Sequence, residues 1–438
     1  MSRPRRANVT LTTSRTIVAR RLSPAAVDGW LYAGSALFAF LLWSISDLSP
    51  HRDWGRDAVI GYLVSAAAAW AVAVLRPRRE LLARAAIAAG CFVLVALVPL
   101  ALMVADRASS GRELHVLPEA AVIERAGHLL AHGHDPYVAF VAGGHLHGVV
   151  AGVPKYEAFF PYFPAMTAFG LPSSVHSIGS LGDSRLWMAA VTLLALAAGL
   201  WLARGSPGRS LRAAQVMVVL PTGAVFLAGG GDDLPILALS LVGIALVSRR
   251  RPVGAGVAFG AAMAMKLTAW PLAALSLFIV RDGEDRRAAG RVAAIMAAIV
   301  ALFVIPFAIW NPRTFLSNVV EFPLGLSGID SPAASPLPGH LLVALFPEVH
   351  RALLVGLVVL GAPLLAWWLW RRPPRDVAGV CRLTAVISII VMCVAPATRV
   401  GYIVYPVNLL VWSWLFTPEQ PSRATGAAAD SFGSGAAN

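Results

Sequence analysis

Residues 76–104 read RPRRELLARAAIAAGCFVLVALVPLALMV, a cluster of arginines (Arg76, Arg78, Arg79) followed by an apolar run over 83–104. As a helix rising 1.5 Å per residue, that run is about 33 Å long, enough to cross about 30 Å of hydrocarbon. The pattern recurs from Leu31 to Phe416 as apolar spans of roughly 18–22 residues broken by short Arg-rich clusters. Composition points the same way. Hydrophobic residues make up 58% of the 438, charged residues only 13%, and mean hydropathy is +0.70, where a soluble domain carries about a quarter charged. The chain reads as an all-α polytopic membrane protein.

The net charge of +13 does not indicate nucleic acid. The arginines lie between hydrophobic spans and form no continuous basic face, so their partner is the anionic inner leaflet of membrane lipids. Cys91, Cys381 and Cys393 sit in apolar stretches without CxxC or metal-ligand spacing and read as buried thiols. No cleavable signal is evident, and the first span reads as a retained anchor. The abundance of Ala, Arg, Gly and Val fits a GC-rich bacterial genome, hence a bacterial plasma membrane.

The leader, residues 1–28, carries Arg3, Arg5, Arg6, Arg15, Arg20 and Arg21 and is placed in the cytoplasm. Residues 29–416 then form a single transmembrane domain. Its spans are expected at 29–46, 58–75, 83–104, 186–203, 213–228 and 233–248, then at 292–310, 352–370, 377–395 and 400–416. Between Pro252 and Arg281 two short passes breaking near Lys266–Pro271 keep both flanking arginine clusters cytoplasmic. They also spare Lys266 the roughly 2.5–3.5 kcal/mol of a charge at mid-bilayer. The total is about twelve transmembrane helices with both termini cytoplasmic. The long loops 105–183 and 311–350 fall outside, and the Ser-, Gly- and Ala-rich tail 417–438 reads as disordered. Within the first loop, 118–132 has the pattern of a helix lying at the interface, and Phe159–Leu171 is expected to dip into it.

That first loop holds Glu119-Ala-Ala-Val-Ile-Glu124-Arg125, His132-Gly-His134-Asp135-Pro136-Tyr137 and Phe160-Pro161-Tyr162-Phe163-Pro164. Here the sequence resembles glycosyltransferase family 87, the polyprenyl-phosphate-mannose-dependent mannosyltransferases of the C-type membrane glycosyltransferase fold. Registering Asp135-Pro136-Tyr137 on the family's Asp-Pro-Tyr places Glu119, without a gap, on its catalytic aspartate. The chain departs in having Glu for Asp, Phe163-Pro164 for a Pro-Pro pair, and two helices ahead of the usual first span. Gly230-Gly231-Asp232-Asp233 resembles the family's Gly-Gln-x-Asn turn. Gly254, Gly256, Lys266 and Pro271 resemble its Gly-rich helix ending in lysine.

An inverting transfer from a lipid phosphosugar needs one base for the acceptor hydroxyl and cations for the departing phosphate. Glu119 is the candidate base, with Glu124 as the alternative; as a bland reading, Glu119 is a helix N-terminal carboxylate after Pro118. Lys266, in an otherwise apolar segment, and Arg399, at the start of the last span, are candidates for the donor phosphate. His340, in the second loop, could reach phosphate or acceptor, or cap the helix that follows it. Asp135, Tyr137, Tyr162, Asp232, Asp233 and Tyr402 are candidate substrate-binding residues, although interfacial aromatics are common and Asp232-Asp233 fits a solvated turn equally. The histidine pairs 132/134 and 145/147 lack the i, i+4 spacing of a helical zinc site and no pattern of supporting polar partners joins them, so no metal and no cofactor is expected.

The sequence thus reads as an extracytoplasmic glycosyltransferase taking mannose from a polyprenyl-phosphate-sugar donor to a lipid or glycolipid acceptor. A polyprenyl-phospho-pentose (arabinofuranosyl) transferase remains open, since nothing in the residues tells the sugars apart. A lipid or solute transporter would show internal repeats and mid-membrane charges, and no clear repeat is present. A scaffold without an active site is the third alternative.

Overall fold

A computed structural model describes residues 22–110, 115–283 and 286–419. Most of the basic leader and most of the C-terminal tail therefore lie outside the described residues. The described chain is almost entirely helical, apart from one antiparallel hairpin pairing Phe140–Ala142 with His145–His147.

Among the described residues seven helices are long and apolar enough to cross a membrane: Pro24–Ile45, Ser49–Leu75, Glu80–Ser110, Ser184–Ala203, Arg287–Trp310, Val349–Arg371 and Val377–Val394. The pair Pro207–Val219 and Pro221–Gly229, bent by 45°, makes an eighth if it is one span. The other four expected spans are shorter helices, Asp233–Ser248, Pro252–Met263, Leu267–Arg281 and Val400–Phe416. A helix of about 16 residues is about 24 Å long, less than the hydrocarbon thickness, so by length seven or eight of the expected twelve spans are present and the count of twelve is not reached.

Several helices begin earlier than hydropathy alone places them. Ser23 caps the first, its side chain accepting from the Ala26 N–H at 3.2 Å, with Pro24 in the first turn. The second starts at Ser49 because the polar run His51–Asp57 continues the helix before the apolar run begins. Small residues then let these two helices close on each other. A Cβ on Gly55 would stand 2.4 Å from the Ala39 carbonyl oxygen, and one on Gly29 would meet the Trp70 ring at 2.5 Å.

Buried ion pairs mark both ends of the third helix. Near its start Arg84 donates from Nε to Asp28 (2.6 Å), which also pairs with Arg212 (2.6 Å). Near its end Arg107 pairs with Glu124 (2.6 Å) and Asp183 (3.1 Å). The two arginines are about 35 Å apart along the helix.

The helix expected over 118–132 forms at Pro118–Ala131, but its apolar side faces protein. Ala120, Ile123 and Ala126 are buried in a cluster with Tyr137, Phe160, Phe163, Met166 and Phe169. The segment Phe159–Leu171 closes over that cluster as a lid, because Gly127 and Gly170 bring the two backbones together. A Cβ on Gly127 would lie 2.3 Å from the Gly170 carbonyl carbon.

Candidate active site

Glu119 stands in the first turn of the helix that begins at Pro118, after an extended Leu117. The Leu117 N–H donates to the Gly229 carbonyl at 2.8 Å, docking this helix start on the turn that follows Pro221–Gly229. Gly230 makes the docking possible. Its φ is +97°, and a Cβ there would meet Ala120 Cβ at 2.7 Å and Arg185 Cγ at 2.8 Å. Beyond Gly231, the turn points Asp232 and Asp233 into the same cavity as Glu119.

Lys266 arrives from another side. The helix Pro252–Met263 stops, Lys266 is extended (φ −158°, ψ 146°), and the chain turns again into a helix at Trp270. The break expected near Lys266–Pro271 is therefore present. Its freed carbonyls find donors in the lid segment: Phe163 N–H to Met265 O (3.0 Å) and Ala165 N–H to Ala264 O (3.2 Å). These bonds hold the Tyr162 ring 5.4 Å from Lys266 Nζ, with the Tyr402 ring also at 5.4 Å. Lys266 Nζ donates to Asp232 Oδ2 at 2.7 Å and Asp233 Oδ1 at 2.6 Å. Asp233 Oδ1 also accepts from the Tyr405 hydroxyl (2.6 Å), which lies 2.6 Å from Thr268 Oγ1.

Arg399 is presented by a strand-like contact between two loops. Thr398 N–H donates to Ala333 O (2.8 Å), Ser335 N–H to Thr398 O (3.0 Å) and Val400 N–H to Ser335 Oγ (2.9 Å). The Arg399 guanidinium pairs with Glu119 Oε1. Glu119 Oε2 is buried and has no hydrogen-bond partner among the described residues.

The cavity enclosing these groups has a volume of ≈ 440 Å³. One wall is polar, formed by Glu119, Asp232, Asp233, Lys266 and Arg399; Ile387, Val391 and Met392 make another apolar. Three carboxylates face two cations. Burial pushes the Asp232 carboxyl up to about 7 against the pull of Lys266, with Asp233 adding to the rise. Burial also opposes the charge on Arg399, but Glu119 beside it prevails and holds the guanidinium firmly protonated. The arrangement can take a proton at the unpartnered Glu119 oxygen while fixed positive charge faces an anion close by.

Of the residues singled out by sequence, Glu119, Tyr162, Asp232, Asp233, Lys266, Arg399 and Tyr402 all line this cavity. Four others do not. Glu124 points away, gripped by both guanidinium nitrogens of Arg107 (3.0 and 2.6 Å) and by the Ser184 N–H (2.8 Å). Asp135 accepts from the Tyr137 N–H (2.9 Å), and Tyr137, packed among Phe160, Phe307 and Phe315, donates its hydroxyl to Tyr162 O (2.7 Å). These two thus shape the lid that carries Tyr162. His340 lies inside the helix Pro338–Leu345 with Nδ1 3.0 Å from Pro396 O. Sequence reasoning missed Thr268 and Tyr405. The three-residue step from Tyr402 to Tyr405, one helical turn, was the available signal for the latter. Among the described residues no three His, Cys, Asp or Glu side chains are placed to hold a metal ion.

No curated protein and no solved structure matches the chain. The family model of glycosyltransferase family 87 matches residues 159–396. The match takes in Tyr162, Asp232, Asp233 and Lys266, begins after Glu119 and ends just before Arg399. Because it covers more than half of the chain, the protein belongs to glycosyltransferase family 87 and is a membrane glycosyltransferase.

Proposed function

We propose that this glycosyltransferase takes mannose from polyprenyl-phosphate-mannose and adds it to a lipid-linked or glycolipid acceptor on the outer face of a bacterial plasma membrane. The observation that carries the reading is the single cavity that Glu119, with one carboxylate oxygen unpartnered and the other paired with Arg399, shares with Lys266. In the reaction the acceptor oxygen bonds to the sugar's anomeric carbon as the bond from that carbon to the phosphate oxygen breaks. Glu119 takes the hydroxyl proton, and the electron pair leaves with the phosphate, where Arg399 and Lys266 meet the charge. The fork of Arg399 suits two phosphate oxygens, and the Tyr162 and Tyr402 rings suit the faces of a sugar.

A lipid carrier is supported by the apolar wall of the cavity and by a groove of ≈ 600 Å³ beside it. Met263, Trp270, Ala274, Leu277, Met296 and Val300 line the groove, and Pro271 borders both spaces. The apolar chain of a lipid phosphate would lie there with its headgroup at Lys266. The test is transfer of radiolabelled mannose from polyprenyl-phosphate-mannose to membrane lipids by the purified chain, with a polyprenyl-phospho-pentose in parallel. Transfer only from the pentose donor would replace the sugar. Transfer from neither donor, by folded protein, would overturn the reading.

A further inference from the structure

The helix Ser49–Leu75 lies wholly before the stretch that matches the family. Its buried side is mostly small: Gly55, Ala58, Gly61, Ser65, Ala66 and Ala69. Three larger polar side chains leave that side, and two of them end on the elements that hold the site. Asp53 Oδ2 accepts from His115 Nδ1 at 2.8 Å. The His115 carbonyl accepts from Arg185 Nη1 (2.6 Å), and two residues later Leu117 makes its bond to Gly229 before the Glu119 helix begins. Asp53 therefore ties down the segment that aims Glu119.

Tyr62 reaches the other half. Its hydroxyl donates to the Val219 carbonyl at 2.6 Å, in the interior of the bundle. Val219 is the last residue before the chain straightens at Leu220 and restarts as a helix at Pro221. The Gly223 N–H, four residues on, bonds Leu220 O instead, so the Val219 carbonyl relies on Tyr62. Only the short helix Pro221–Gly229 separates this 45° bend from the turn bearing Asp232 and Asp233. That helix is about 13 Å long, so a hinge of about 5° at its base moves the turn by about 1 Å. Displacements of that size are felt strongly in catalysis.

We infer that Asp53 and Tyr62 are positioning residues, and that this helix sets where Glu119 stands relative to the Asp232–Asp233–Lys266 group. The inference rests on the transfer reaction proposed above. Trp54 supplies the internal control: its Nε1 donates to Val95 O (2.8 Å) in the helix Glu80–Ser110, and its ring stands edge-on to Tyr62 with centroids 6.2 Å apart, so Trp54→Phe removes the donor while keeping an aromatic ring beside Tyr62.

The test compares Asp53→Asn, Tyr62→Phe and Trp54→Phe in the full chain. Kinetic constants and thermal unfolding are measured, together with backbone hydrogen exchange, which needs no substrate. Asp53→Asn is expected to lower kcat about tenfold with donor KM nearly unchanged, and to speed exchange at 117–121. Asp53→Glu is expected to restore part of the rate. Tyr62→Phe is expected to raise donor KM about tenfold and speed exchange at 223–233. Trp54→Phe should lower the unfolding temperature and do neither. If all three variants change only the unfolding temperature, with exchange raised uniformly, the positioning role is refuted whatever the donor. Absence of wild-type transfer alongside the expected local exchange pattern would refute the reaction instead, leaving the positional coupling intact.

Discussion

The two glutamates of one helix make the sharpest test, because the proposed mechanism makes Glu119 the base while Glu124 is engaged by Arg107. Glu119→Gln keeps the size of the side chain and removes the charge and the basic oxygen. The ion pair it breaks is partly exposed, 15% for the Glu119 side chain and 33% for Arg399, so its loss costs about 1 kcal/mol of stability or less. On the proposed mechanism the catalytic cost is larger. A positioned general base is worth about 10²–10⁴ in rate, which at 1.36 kcal/mol per tenfold is about 3–5 kcal/mol of barrier. Glu124→Gln reverses the weights. Its side chain is 11% exposed and holds both nitrogens of Arg107 as well as the Ser184 N–H. Removing the charge leaves Arg107 with Asp183 alone in a buried setting, a loss of about 3–5 kcal/mol. Sugar transfer and thermal unfolding, measured on the same preparations in detergent, separate the two. The expected outcome is a folded, inactive Glu119→Gln and a destabilised Glu124→Gln that still turns over below its unfolding temperature. Turnover by Glu119→Gln within tenfold of wild type would refute its assignment as base. A stable but inactive Glu124→Gln would move the base to that residue.

Asp232 should make the protein's stability depend on pH. Its folded carboxyl is raised to about 7, above its unfolded value, so its contribution is fully present below about pH 4 and lost as pH rises through 7. Unfolding temperatures of wild type and Asp232→Asn, followed from pH 5 to pH 8, should diverge as pH rises, the wild type losing ground; a constant offset would show that Asp232 does not titrate in this range. Gly230→Ala should cost more than the roughly 1 kcal/mol of a strained backbone, since its Cβ would also collide with Ala120 and Arg185. Activity is expected to fall with stability, and wild-type values for both would refute the docking argument.

The membrane-spanning segments were legible because a helix in hydrocarbon needs about 20 apolar residues in a row, a constraint written locally along the chain. The break at Lys266 was legible for a related reason: a lone ammonium is costly within an apolar helix. Helix starts were less so. The run His51–Asp57 shows no hydropathy signal, and the cap at Ser23 lies ahead of the first apolar span.

Within the site, the kinds of residue were readable but their partners were not. Glu119 and Arg399 are 280 positions apart, and Lys266 reaches Asp232 across 34. Glu119 and Glu124, five positions apart on one helix, point about 140° from each other by helical geometry alone. Which direction is the cavity and which the Arg107 cluster depends on where the Gly229–Asp233 turn and the Phe159–Leu171 lid come to rest. What the sequence determined by itself was the fold class, the family's motifs and a short list of chemically capable groups. Tertiary structure alone decided which of them face one another, because ion pairs and docked carbonyls form between segments distant in the chain, and local periodicity carries no record of that pairing.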